Sequence, residues 1–517
     1  HLIMLLIAIY LLLVISITFF QWKNVNGSIF KSNQKVTWWV SGLSLYMLYL
    51  SVDQGQLISG IISEHGMQGM WMVWAGNLGV FVVPLVFAPL WNKLNLTTDN
   101  QFILFRFPGL AGAWLHRFRA IYVGGLVVTL AVSFHLIGFA RVIEVFYKIP
   151  QTQSILIAGG IMVLFALKNI LDIKLKLDIL HTTLFIGSFM LIVFFVSKAF
   201  IFEKDWMKFF IENPSKKSLI PLDSSSWFSM LIYLGVQWWS CYLFDGGGAE
   251  TSRFTAVKTP KDAIKAALTP VAISFIISFF MVIHVVVLLG NTSIQINGEI
   301  SYVNALLNII PFQLKDFIFL GFFAMFITTA ESLLNWGASF LVVDAWKGWL
   351  NPSSSLVENR ILSFLMMAVL SCLSILVSIY ITNLQQLIKI TFSISAGVAP
   401  VFILRWVWFR INAWSQLSAM ICSSFLTLCY PLIHDLIPLS IFPMEESRIL
   451  VVTIITTITW VLVTFLTPNH SEEIEMRMLP IIQKKHVFFY RLGLALVLGV
   501  FLTLINWGIW SFLLTQG

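Results

Sequence analysis

The sequence predicts an all-α polytopic membrane protein of about fourteen transmembrane helices. Three observations carry this. Of 517 residues, 58% are hydrophobic and only 11% are charged, far too apolar for a water-soluble chain. The apolar residues gather in runs of roughly 18–25, the length of a helix that crosses a bilayer. Alternation of apolar and polar residues over roughly ten-residue stretches, the mark of a membrane β-barrel, is absent.

Fourteen apolar segments follow in order: 2–20, 37–62, 68–90, 118–146, 153–171, 177–201, 225–245, 264–290, 313–345, 358–382, 385–409, 414–434, 447–466 and 488–515. They are numbered here as segments 1 to 14. Segment 1 starts at residue 2 with no basic stretch before it and no small-residue cleavage site after it, so it reads as a retained span. The net charge of +8 reflects loop bias and not a nucleic-acid surface, since no basic run is present. With the N-terminus outside, 22 of the 32 basic residues fall on the inner side and eight on the outer, while Arg141 and Lys389 lie within spans. That asymmetry supports both the segment count and an arrangement with N- and C-termini outside the cell inner (plasma) membrane. Cys241, Cys372, Cys422 and Cys429 all sit in apolar runs at spacings that suit neither zinc nor a disulfide framework.

Among the loops, 91–117 is a long inner one with a TTD turn and the aromatic FILFRFPG stretch. The outer loop 202–224 has mixed charge and reads as an amphipathic surface segment. None of the loops has the composition of a soluble domain.

Polar residues inside the spans mark where function is expected. Segment 2 reads WWVSGLSLYMLYLSVDQGQLISG, and its Ser51-Val52-Asp53-Gln54-Gly55 core suits a discontinuous helix whose freed carbonyls bind a cation or face a solute. Asp178 reads either as a solvated helix-start residue or as a functional one. Segment 7 contains GVQWWSCYLF followed by DGGGAETSR, with Gln237 and Ser240 on one face and Trp238 and Trp239 available for stacking or for an aromatic belt. The GGG run lacks the GKS/T of a phosphate loop. In segment 9, FAMFITTAESLLNWGASFLVVD, Met325, Thr328 and Thr329 share one helix face. Threonine hydroxyls in buried helices commonly bond the preceding turn's carbonyl, and residues alone favour that reading here. Glu331 and Asn335 form an i, i+4 pair on another face. His135, His181 and His284 share no ligand spacing, so structural hydrogen bonding is expected of them.

Several of these stretches resemble the sodium:solute symporter family. Segment 2 has that family's paired tryptophans, G-x-S and S-x-[DE]-Q break. Segment 9 carries the paired Ser/Thr position and an LNWGASFLVVD tail like that of a bacterial branch. QWW with GGG and an arginine, and TTD…FRFPG…LHRFRAIYVG, look like the same branch. The resemblance spans about residues 1–510. It implies a LeuT-type fold with two inverted five-helix repeats, 37–201 and 225–409, separated by the outer loop 202–224. A peripheral helix with its inner loop would occupy 1–36, and peripheral C-terminal helices 410–517. Segments 2 and 7 would be the broken helices.

The resemblance further implies a sodium site on the carbonyls of Met47, Leu50 and Met325 and the hydroxyls of Thr328 and Thr329, with Asp178 beside it. That reverses the reading of the threonines from residues alone. Asp53 and Gln54 at the break, with Trp74, Asn77, Gln237 and Ser240 by position, would bind the solute. Glu331 stands where the branch has a small polar residue, and the sugar-contacting glutamine of segment 11 has no match in LQQLIKITFSISAG. The expected protein is no enzyme but a sodium-coupled symporter of a small polar organic solute, sugar-like or carboxylate-bearing, acting by alternating access in a lipid bilayer. Proton coupling through Asp53, Glu331 and Asp178, or a non-transporting sensor or scaffold, are the alternatives.

Overall fold

A computed structural model describes residues 30–32, 35–166, 171–198, 207–240, 245–290, 299–380, 384–434 and 443–516. Segment 1, Cys241 and parts of the outer loops lie outside the described residues. Within them the secondary structure is helical, apart from one bridge between Val36 and Val257. Nine helices among the described residues are long and apolar enough to cross a membrane. Segments 2 and 7 are not among the nine because each is broken into pieces too short to span.

Segment 2 runs as two half-helices, Trp38–Tyr49 and Gln54–His65. Leu50 between them is extended, at φ −76° and ψ 127°. The Ser51 hydroxyl donates to the Asp53 carboxylate, a local bond that competes with helix continuation. Segment 7 starts as Ser224–Gly235, capped by Asp223, breaks at Val236 and makes a single turn at Gln237–Trp239. Gly246 and Gly248, at φ 68° and 103°, then reverse the chain into the helix Thr251–Ala256. Those angles are open to glycine at little cost, which accounts for the GGG run.

Segment 9 is the axis of the bundle. It runs Phe312–Ser339 and continues with wider, π-type turns to Leu350. Its central window is 83% buried, against 22% for segment 14. Segment 6, Leu171–Val196, packs along it, and both pack on the first half of segment 2. Segment 4, part of the helical run Gly109–Tyr147, crosses it where a Cβ on Gly337 would stand 2.7 Å from the Gly124 carbonyl oxygen.

Two apolar cores flank these helices. One fills the space between segments 2, 4, 6, 8 and 9. The other gathers at the end expected to face inside, around Trp91, Phe102 and Trp406, with the Phe102 and Trp406 rings stacked at 4.5 Å. The 91–117 loop is therefore a folded part of the inner core.

Candidate functional site: a carbonyl cage beside a buried charge cluster

The break in segment 2 frees carbonyls that a continuous helix would use. Two of them, Met47 and Leu50, point at segment 9. The Thr329 hydroxyl oxygen lies 3.1 Å from the Met47 carbonyl oxygen, 3.0 Å from that of Leu50 and 3.1 Å from that of Met325. A hydroxyl has one proton, so it satisfies one of the three at a time. Four oxygens therefore converge, and the Met47 and Leu50 carbonyls share the single Thr329 hydroxyl proton with Met325, whose carbonyl lies inside the continuous helix of segment 9. Oxygen donors without counter-charge are the ligands hard cations take. Met47, Leu50, Met325 and Thr329 are all buried.

Thr328 faces another way. Its hydroxyl pairs with His181 Nδ1 at 2.5 Å, and its carbonyl accepts from Lys174 Nζ at 3.0 Å and from the Ser332 hydroxyl at 2.8 Å. Asp178 lies one helical turn below Lys174 and accepts its ammonium at 2.9 Å. The other Asp178 oxygen takes the Ser44 hydroxyl at 2.5 Å. Arg253, from the helix after the GGG turn, donates to Ser44 at 3.2 Å and to Ser332 at 2.8 Å. Asp178 is thus no solvated helix-start residue. It is fully buried and ties segment 6 to segment 2 through Ser44, while its partner Lys174 reaches the Thr328 carbonyl of segment 9.

The solute candidates separate into two groups. Asn77, Gln237 and Ser240 lie on elements of segments 3 and 7 that pack together, with Gln237 Nε2 donating to the Met72 carbonyl at 2.8 Å and Ser240 donating to the Gln237 carbonyl at 2.7 Å. The other three point elsewhere. Asp53 lies against segment 4, where a Cβ on Gly138 would touch it at 2.8 Å and His135 Nδ1 stands 3.7 Å from its carboxylate. Gln54 reaches Ser278 of segment 8 at 3.5 Å, and Trp74 stacks on Trp510 of segment 14 at 6.2 Å. A small cavity, with room for about one water molecule, lies beside the break, lined mainly by apolar residues including Phe185, Phe189 and Phe322, with Ser51, Ser188 and Tyr302 among the polar ones.

A second polar cluster sits at the end expected to face inside. Asp245, at the GGG turn, accepts from Arg405 at 2.5 Å and from Trp406 Nε1 at 2.9 Å. Asp99, of the TTD turn, accepts from Arg119 at 3.1 Å and from Trp336 Nε1 at 3.1 Å. Asp344 accepts from Thr98 and lies 3.2 Å from His116 Nε2. Buried charges in an apolar surround are tolerated when paired in this way.

Sequence reasoning missed Lys174, Arg253, Ser44, Ser332 and the inner cluster. It counted Lys174, Arg253, Arg119 and Arg405 as inner-loop charges, yet all four are buried. The i, i+4 spacing of Lys174 and Asp178 was the available signal. The histidine expectation divides: His135 and His181 make hydrogen bonds, whereas His284 is buried with neither ring nitrogen bonded.

A broken helix whose freed carbonyls meet a hydroxyl on a second helix defines the core of an ion-coupled secondary transporter. The comparisons give the family. The sodium:solute symporter family model matches residues 29–423, and the chain belongs to that family. A sodium/glucose cotransporter of Vibrio parahaemolyticus is 21% identical, over 85% of this chain and 86% of its own length. The structure of a Na+-coupled sialic acid symporter, in a substrate-bound outward-open state, superposes with a TM-score of 0.72 at 16% identity, covering 91% of this chain and 98% of that one. The likeness fixes the fold as that of this multi-pass, LeuT-like transporter group.

Proposed function

We propose that the protein imports a small polar organic solute with sodium by alternating access, sodium binding in the cage of Met47, Leu50, Met325 and Thr329. The observation that carries this is the convergence of three carbonyls on one hydroxyl at the helix break. Thr328 would join as a fifth ligand by turning its hydroxyl from His181, and Asp178 would hold the nearby negative charge. The two broken segments would head inverted repeats covering 37–201 and 225–409. Sodium in the cage would tie segment 2 to segment 9 and favour the state that receives solute. By linkage, solute and sodium then raise each other's affinity equally. Gln237, Ser240 and Asn77 would line the solute site, a reading supported by the packing of their elements against each other. The names of the relatives favour a sugar-like or carboxylate-bearing solute.

Uptake into proteoliposomes tests the coupling. A sodium gradient alone should drive accumulation, and Thr329→Ala should abolish it. Accumulation driven by a pH gradient alone, indifferent to sodium, would replace this reading with proton coupling. For the solute, a thermal-shift screen of sugars, amino acids and carboxylates should return a ligand that stabilises only with sodium present.

A further inference from the structure

The Lys174 ammonium occupies a position that a cation-binding site would ordinarily leave to its ion. It is 2% exposed and its contacts are a carboxylate and a backbone carbonyl, Asp178 at 2.9 Å and Thr328 at 3.0 Å. Both contacts adjoin the cage. Thr328 precedes the cage residue Thr329, and Asp178 holds Ser44, one helical turn before the cage residue Met47. Glu331, buried, follows Thr328 by three residues on segment 9, and Arg253 bonds Ser44 and Ser332 of the same cluster. At formal charge, and leaving aside the His181 imidazole 3.8 Å from Asp178, the buried side chains of Lys174, Arg253, Asp178 and Glu331 make two positive and two negative charges, which sum to zero before any ion is added.

We propose that Lys174 is a tethered cation that competes with sodium for the negative field of Asp178 and Glu331, and so sets the sodium affinity of the cage. This rests on the sodium-cage reading. The physical argument is charge balance. A sodium ion entering the cage beside a neutral cluster leaves one uncompensated positive charge in a low-dielectric interior, where such an excess is costly. The cost is relieved if the flexible Lys174 side chain withdraws its ammonium from Asp178. It is removed if the lysine is replaced by a neutral residue. Sodium would therefore be held loosely, and its departure toward the inside would be compensated at once by the ammonium already at hand. Glu331 gains a role as well: it supplies the second negative charge that keeps the cluster balanced and the cage attractive to a cation.

The test is a sodium chloride titration of the full-length protein in detergent, at constant ionic strength with choline chloride, read by thermal unfolding and by binding of radioactive sodium. Lys174→Gln should lower the half-saturating sodium concentration by tenfold or more, because the cluster then carries a net negative charge. Glu331→Gln should raise it by tenfold or more. The double variant Lys174→Gln/Glu331→Gln restores neutrality and should fall within about threefold of the wild type, the tolerance expected where balance and not one contact decides. If Lys174→Gln does not fold, Glu331→Gln carries the test alone.

A half-saturation unchanged in Lys174→Gln, or unchanged in Glu331→Gln, overturns the tethered-cation proposal and leaves Lys174 as a structural counter-charge. The cage stands or falls separately. A sodium response that survives Thr329→Ala, or that is missing from every protein tested, overturns the cage itself. A response lost in Thr329→Ala but indifferent to position 174 overturns only the role of the lysine.

Discussion

The cage and the cluster around Asp99, Asp245 and Asp344 are both buried, both polar and both draw residues from segment 9, yet they are held together in opposite ways. The cage is made of neutral oxygens in surplus, with the Met47 and Leu50 carbonyls freed by the break and sharing the one Thr329 hydroxyl proton with Met325. The inner cluster is made of full charges matched pair by pair, Asp245 with Arg405 and Asp99 with Arg119, each braced by an indole N–H. Neutral hydrogen bonds contribute about 1 kcal/mol each and exchange readily with other partners. Breaking a buried ion pair by losing one member costs about 3–5 kcal/mol. One region is therefore suited to giving way to an ion, and the other to holding helices together until all of its bonds are broken in concert.

The difference can be broken experimentally at several levels. Arg405→Ala should have the largest effect, destabilising the protein by about 3–5 kcal/mol through the stranded Asp245 carboxylate. A thermal melt in detergent should show this equally with and without sodium. Gly337→Ala, on the stretch of segment 9 between the two regions, should cost roughly 1–3 kcal/mol, because the new methyl meets the Gly124 backbone and must push segments 4 and 9 apart. Thr329→Ala should cost only about 1 kcal/mol in the melt, yet remove all of the sodium-dependent stabilisation. That dissociation of stability from ion response is the sharpest contrast with Arg405.

The smallest effect is expected at Asp223, outside the membrane, where the Ser226 backbone N–H and hydroxyl hold the carboxyl below its ordinary value. A lowered folded-state value means that the cap contributes fully above the unfolded value of 3.8 and is lost as pH falls through the folded one. Asp223→Ala should accordingly flatten the acid limb of the stability profile and leave sodium binding alone.

Much of this was legible in the sequence. The break in segment 2 follows from Ser51, Asp53 and Gly55 interrupting an apolar run, and the cage partners Met325 and Thr329 follow from the family resemblance and helical spacing. The direction of individual side chains was not legible. That Asp53 lies against Gly138 of segment 4 is a consequence of packing that only the structure shows. The Thr328 hydroxyl meets His181, seven residues past Lys174 on the same helix, a partner that no spacing within segment 9 could show. The buried basic residues were misread because loop-charge counting treats any lysine or arginine near a span end as solvated. Lys174 and Arg405 sit close enough to their span ends to be counted so, but tertiary partners drew them inward.

One modest feature bears on how the whole machine moves. Val36 bridges Val257, Val36 N–H donates to the Ala256 carbonyl at 3.0 Å, and the Ser41 hydroxyl donates to the Arg253 carbonyl at 2.8 Å. These bonds rivet the lead-in of segment 2 to the helix that follows the turn in segment 7. Two broken segments would ordinarily supply two independent joints. Fastened side by side by backbone bonds, these two ends are one joined piece of the structure and not two separate joints.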